Sequence, residues 1–305
     1  MHSIRILMQH MIDYAGLFPP ASLDMQRAVA NYVTFRRQDL AWNDVNWTLG
    51  RFILSASQLD EFERVAQDVL PHDTNADSWQ LSVLSTTNMQ ADIATIQAFN
   101  ARHTAGADGG AAAIDTIELK TARAEDIIAA MKVIPEDLTA YFEIPITADL
   151  GQLIDTIGRV GARAKVRTGG TSPDMFPTPD DLLRFIHACV AARVPFKATA
   201  GLHHPIRSEY RLTYDRDSDT GTMYGFLNVF LSAAFLAAGM NVDEAMHVLV
   251  EESPTAFHFD NDGVTWRTHR LDNAALLHVR HNIAMSFGSC SFQEPIDELK
   301  AMKLL

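Results

Sequence analysis

The sequence predicts an α/β protein built as a (β/α)8, TIM-like barrel. Three observations carry that reading. Short β-rich runs alternate with longer amphipathic stretches along the chain. The connections between them are short, as parallel strands with right-handed crossovers require. The length of 305 residues suits a single barrel with additions. The whole chain, 1–305, is read as one barrel domain, with a lid or surface loop at 205–222 and a C-terminal helical and strand extension at 241–305. No GxGxxG follows the first strand, which argues against an open dinucleotide-binding sheet.

Seven strands are expected, at 12–18, 49–56, 79–86, 116–120, 140–146, 163–169 and 195–202. The eighth is open between 264–268 and 283–287. Helices fill the gaps. SQLDEFERVAQDVL (57–70) is apolar at Leu59, Phe62, Val65 and Val69, a helical period that opens on serine. NMQADIATIQAFNARH (88–103), ARAEDIIAAMKVI (122–134), DLGQLIDTIGRVG (149–161) and PDDLLRFIHACVAARV (179–194) repeat that pattern. Three segments read as loops: 103–113, the proline-rich 171–180, and 205–222.

Composition narrows the function classes. Apolar residues make up 47% and charged residues 21%, as in a folded soluble protein rather than a disordered one. The formal charge of −13 argues against nucleic-acid or anionic-membrane partners, which need a basic face. The uncharged stretch 220–242 contains Asn228 and several small residues. It reads as a buried or subunit-interface helix, not a membrane span. A homo-oligomer is therefore an option. Only two cysteines, Cys189 and Cys290, and an N-terminus without a leader pattern point to a reducing cytoplasm.

The chemistry lies in the strands. Side chains alternate faces every residue. In TIELK, Glu118 and Lys120 share one face. In YFEIP, Glu143 opposes Phe142 and Ile144. In RAKVRTGG, Arg163, Lys165 and Arg167 share a face, and in PFKATAG so do Lys197 and Thr199. In a barrel the apolar faces meet the helices, so the charged set faces the lumen near the C-terminal ends of the strands, where barrel active sites are built. A lumen filled only for stability uses aliphatic residues, because buried charge is costly. Glu118, Lys120, Glu143, Lys165, Arg167 and Lys197 are thus the candidate site, with a self-satisfied ion-pair network as the structural alternative. Four cations against two anions suggest an anionic small-molecule substrate.

KVRTGG (165–170) and KATAGLHH (197–204) form a pair, each with a lysine, a threonine and a closing glycine. Gly169, Gly170 and Gly201 would let backbone N–H groups approach an anion, with Thr199 beside them. Of the adjacent His203 and His204, only one can point into the mouth. Asp13 and Tyr14 stand near the first strand, where Asp13 either joins the site or caps a turn. SFGSCSF reads as a second anion-binding turn or as a reactive thiol at Cys290, though the cysteine has no basic neighbour in sequence to activate it and a buried inert thiol is the commoner case.

These two lysine motifs resemble those of the deoxyribose-phosphate aldolases, class I Schiff-base enzymes on a (β/α)8 barrel, over about 40 residues. That family carries one lysine in a K-T-x-T-G strand and a second in a following K-A-x-G-G strand. The resemblance implies that Lys165 forms the imine, that Lys197 tunes it, and that Glu118 assists proton transfer, with no cofactor. Here Arg167 replaces a small residue of the family pattern, LHHP replaces its arginine-bearing turn, and 205–222 is additional. The residues themselves leave three readings open. One is an aldolase-like lyase acting through a lysine, with Glu118 or Glu143 moving the proton and Lys165 or Lys197 as nucleophile. Another is a metal-assisted lyase, isomerase or hydrolase using Glu118, Glu143, Asp13 and His203 or His204. The third is a non-catalytic sensor of an anionic metabolite.

Overall fold

The fold is described from a computed structural model, over residues 1–37, 45–72, 77–103 and 110–305. Eight parallel strands close a barrel: β1 (Ile12–Tyr14), β2 (Leu49–Ser55), β3 (Trp79–Leu84), β4 (Ala112–Lys120), β5 (Thr139–Glu143), β6 (Arg163–Arg167), β7 (Phe196–Thr199) and, last, a strand at Ala284–Ser289. All seven expected strands are present. Of the two candidates for the eighth, 283–287 is the correct one. Its strand hydrogen-bonds β1 on one side and β7 on the other. The 241–305 segment is therefore not an appendage, because it supplies the stave that closes the barrel.

The helices are α1 (His2–Met8), α2 (Met25–Arg36), α3 (Leu59–Ala66), α4 (Met89–Arg102), α5 (Ala124–Met131), α6 (Leu150–Arg159), α7 (Pro179–Ala192), α8 (Phe226–Ala237), α9 (Val242–Leu249), α10 (Asn273–Asn282) and α11 (Gln293–Ala301). The best-signalled is α7. Thr178 caps it by accepting from the Asp181 N–H, Pro179 opens it, Asp180 and Asp181 sit in its first turn, and Arg193 ends it in the left-handed region. The expected loop at 103–113 falls partly outside the described residues, and 112–113 belong to β4.

Among the described residues, two small antiparallel sheets lie outside the barrel. The 205–222 segment is largely an antiparallel hairpin, β8 (Ser208–Arg211) with β9 (Thr220–Met223). The other strand candidate, 264–268, falls mainly in the middle strand of a small antiparallel sheet made of β10 (Phe257–Phe259), β11 (Gly263–Trp266) and β12 (His269–Asp272). The closing barrel strand is accordingly β13.

The apolar stretch 225–240 contains α8, which seals the barrel wall behind β7 and β13. Phe230 stacks on Phe196, and Phe226 on Phe287. Its polar residues are satisfied inside the chain: Asn228 Nδ2 donates to the Val248 and Glu251 carbonyls, its Oδ1 accepts from Arg207 N–H, and Ser232 Oγ donates to the Asn228 carbonyl. Phe226 to Leu236 are all buried within the chain itself. No helix among the described residues is long and apolar enough to cross a membrane.

Candidate active site

Strand alternation sets the interior as expected at most positions. Phe142, Ala164, Val166, Phe196 and Ala198 are buried toward the helices, and the polar residues between them meet in the lumen. Direct pairing of Lys165 with Glu143 on β5 and with Lys197 on β7 brings three charges level across three neighbouring strands.

The centre of the network is Glu118. Its Oε2 lies 2.7 Å from Lys165 Nζ. Its Oε1 accepts from Lys197 Nζ at 2.7 Å and from Ser82 Oγ at 2.6 Å. Lys197 also donates to Asp13 Oδ2 at 2.8 Å, and Ser286 Oγ donates to that same oxygen at 2.7 Å. The other Asp13 oxygen accepts the Arg51 N–H at 2.8 Å. On its outer side Lys165 Nζ reaches Glu143 Oε2 at 2.9 Å, and Arg167 Nε donates to Glu143 Oε1 at 3.3 Å. Asp13 joins the site and caps no turn.

Burial and pairing oppose each other in this chain of charges. Burial pushes the Glu118 carboxyl up, but Lys165 and Lys197 hold it well below the usual carboxylate range. Glu143 follows the same rule, drawn down by Lys165 and Arg167 against its own burial. For Lys197, burial favours the neutral amine, yet Asp13 and Glu118 outweigh it and raise the ammonium above the ordinary lysine value. Carboxylates thus stand between Lys197 and the neighbouring cations.

A cavity of about 270 Å³ opens at the C-terminal ends of the strands. Glu118, Glu143, Lys165 and Arg167 line one part of it. Thr199, Gly170, His203 and Cys290 line another, and Phe18, Ile53, Leu84 and Met175 supply apolar wall. Lys197 lies beneath, fully buried and outside the lining. Its ammonium is buried between Asp13 and Glu118. A larger hollow, about 640 Å³, lies at the opposite end of the barrel around the bidentate Arg51–Asp115 pair, away from the face where barrel sites form.

Several expected site residues fall elsewhere. Lys120 is exposed at the last position of β4, past the rim, and does not line the cavity. With Lys120 outside and Asp13 inside, the lumen network holds three cations (Lys165, Lys197, Arg167) and three anions (Asp13, Glu118, Glu143). The expected surplus of positive charge is absent from it. The glycines serve packing. A Cβ on Gly169 would sit 2.4 Å from the Phe176 ring, and one on Gly170 would sit 2.4 Å from Met175 Sδ. Gly201, at φ +74°, would carry its Cβ 2.9 Å from Gly169 Cα. The two turns lie back to back, and of these three glycines Gly170 is the one that lines the cavity.

The turn after β7 separates the two histidines. Ala200 (φ 60°) and Gly201 are both left-handed, which ends the strand sharply. His203 is directed to the cavity wall, whereas His204 stacks on Tyr210 and bonds Glu298 through Nδ1. His203 Nδ1 lies 3.2 Å from Glu294 Oε2 and 4.0 Å from Cys290 Sγ. Tyr214, between the hairpin strands, donates to Glu294 Oε2 at 2.9 Å and approaches the thiol at 3.6 Å. The sequence gives Cys290 no basic neighbour; the fold gives it His203. Ser82, Ser286, Glu294 and Tyr214 were not expected in the site. A serine at an inward position of each of the apolar strands β3 and β13 was the available signal for the first two.

Among the described residues, no three His, Cys, Asp or Glu side chains converge as a metal centre. The carboxylates that a metal reading would use are each bridged by a lysine, and His204 faces away from them. No protein-family model, curated protein or solved structure matches this chain.

Proposed function

We propose that the protein is a carbon–carbon lyase of class I aldolase type, acting on a small carbonyl compound through an imine at Lys165. One observation carries this reading. Of the two lysines in the buried network, Lys165 alone also lines the cavity, and its nitrogen lies between Glu118 and Glu143.

The geometry suits the steps. Lys165 must shed a proton to attack a carbonyl carbon, and a carboxylate lies within hydrogen-bond distance on either side to take it. The iminium that forms keeps one N–H where the ammonium had three, so it cannot hold both carboxylates. Glu118 retains Lys197 and Ser82. Among the described residues Glu143 retains only Arg167, at 3.3 Å, so Glu143 is the carboxylate set free. It is then a base beside the carbon next to the imine. As Glu143 takes the proton of a hydroxyl on the departing carbon, that carbon becomes a carbonyl, the C–C bond breaks, its electron pair flows into the iminium, and the resulting enamine regains the proton on carbon.

Arg167 suits the anionic end of a carboxylated or phosphorylated substrate. Its side chain is 44% exposed at the cavity rim, and among the described residues only Glu143 pairs with it. Lys197 acts from below by fixing Glu118 rather than by touching substrate.

The test is borohydride trapping with pyruvate, acetaldehyde and dihydroxyacetone phosphate, followed by digestion and mass spectrometry. A reduced adduct on Lys165, lost in Lys165→Met, is expected. No adduct from any of the three, on protein shown to be folded, would sink the imine reading.

A further inference from the structure

Forming the iminium requires the carbonyl oxygen to leave as water. The nitrogen starts with three hydrogens and ends with one, so two protons must travel from nitrogen to oxygen. Glu143 and Glu118 stand at the nitrogen. Both are held ionised by cations, which makes them poor acids for the departing oxygen.

A different group stands on the cavity wall formed by the turn after β7. His203 is 7% exposed and lines the reactive cavity together with Cys290. It also lines a second cleft, of about 310 Å³, beneath the β8–β9 hairpin, where its partner Glu294 lies. The imidazole is thus part of the wall between the two spaces, and the Glu294 side chain, 34% exposed, lies on the cleft side.

Resting on the imine reading, we infer that His203 is the acid–base residue that hands protons to the carbonyl oxygen, with Glu294 as its link to solvent. Lys165 adds to the carbonyl carbon, the N–C bond forms, and the π pair moves to oxygen, which takes a proton from the imidazolium. Neutral His203 is recharged by the proton that the nitrogen releases. When the nitrogen lone pair expels the oxygen, the C–O bond breaks and a second proton from His203 completes the water. The first proton, which the ammonium lost to Glu143 before it could add, returns to neutral His203 through solvent by way of Glu294, so two protons leave nitrogen, two reach oxygen, and Glu143 and His203 end as they began.

The groups facing His203 are Cys290 and Glu294 after β13, Tyr214 from the hairpin segment, and neighbouring His204, itself turned to Glu298. Burial favours the neutral ring, but Cys290 and Glu294 prevail and push it up to about 9, so it carries a proton at neutral pH.

The experiment measures the rate of adduct formation at Lys165 with acetaldehyde, quenched by borohydride at intervals across pH. In wild type the rate should fall above a midpoint near pH 9. His203→Gln should slow trapping by about tenfold or more, abolish that midpoint and reach the same final extent. Added imidazole should restore part of the rate through the cleft. Glu294→Gln should move the midpoint downward, and this variant carries the test if Gln at 203 prevents folding. A wild-type rate and pH profile in His203→Gln, or an unmoved midpoint in Glu294→Gln, overturns the assignment while leaving the imine intact. Absence of any adduct in wild type instead defeats the imine reading and this assignment with it.

Discussion

Lys165 and Lys197, paired directly across β6 and β7, hold opposite oxygens of one carboxylate, Glu118, each at 2.7 Å. Two ammonium groups are thereby fixed side by side without meeting as bare charges. One faces a cavity and the other is sealed beneath it. Access to the cavity and full burial are divided between two residues of the same type.

Lys197 should matter first for stability. Replacing it with Met strips Asp13 and Glu118 of their shared cation in a fully buried setting. Breaking a buried pair by removing one partner costs about 3–5 kcal/mol. Urea unfolding of Lys197→Met at pH 7 should show a loss of that order. An unchanged midpoint would mean that the network carries no such weight.

Acid should dismantle the same network. Glu118 and Glu143 titrate below their ordinary value in the folded chain. Their contribution is complete above the unfolded value of about 4.3 and is lost as pH falls from there through the depressed folded values. Stability measured from pH 7 to pH 3 should hold and then drop. Glu118→Gln should start less stable and lose less over the acid range. An equally steep acid loss in that variant would remove Glu118 from the account.

His203 should act in the opposite direction. Its folded value is raised to about 9 against about 6.5 unfolded. The stabilisation is complete below pH 6.5 and fades as pH rises through 9. Melting temperatures between pH 6 and pH 10 should decline in wild type and decline less in His203→Gln. Parallel curves would show that the contacts with Cys290 and Glu294 are not coupled to folding.

The glycine turns give a paired test. Gly201→Ala forces a left-handed alanine, about 1–2 kcal/mol unfavourable, and drives its Cβ toward the Gly169 backbone. Gly151→Ala, in α6 with open space around it, should instead stabilise by about 0.5–1 kcal/mol. Thermal melts of both variants should move in opposite directions. If Gly201→Ala melts like wild type, the back-to-back packing of the turns is not tight.

What the sequence determined by itself is the scaffold and the inward charge. Strand alternation at Phe142–Glu143 and at Ala164, Lys165 and Val166 is a two-residue period, and burial of the apolar half leaves no second solution for the other half. Alternating strands and helices then select parallel pairing, and a closed barrel follows.

Tertiary structure decided how those charges combine. Lys120 shares a face with Glu118, but β4 ends at that position and the side chain passes the rim. Asp13 and Glu118 come together only because β1, at the start of the chain, closes against β13 near its end. Cys290 acquires His203, and His203 acquires Glu294, through residues far apart in sequence. Local periodicity fixes the direction of a side chain; which side chain it meets depends on strand order, register and where each strand stops.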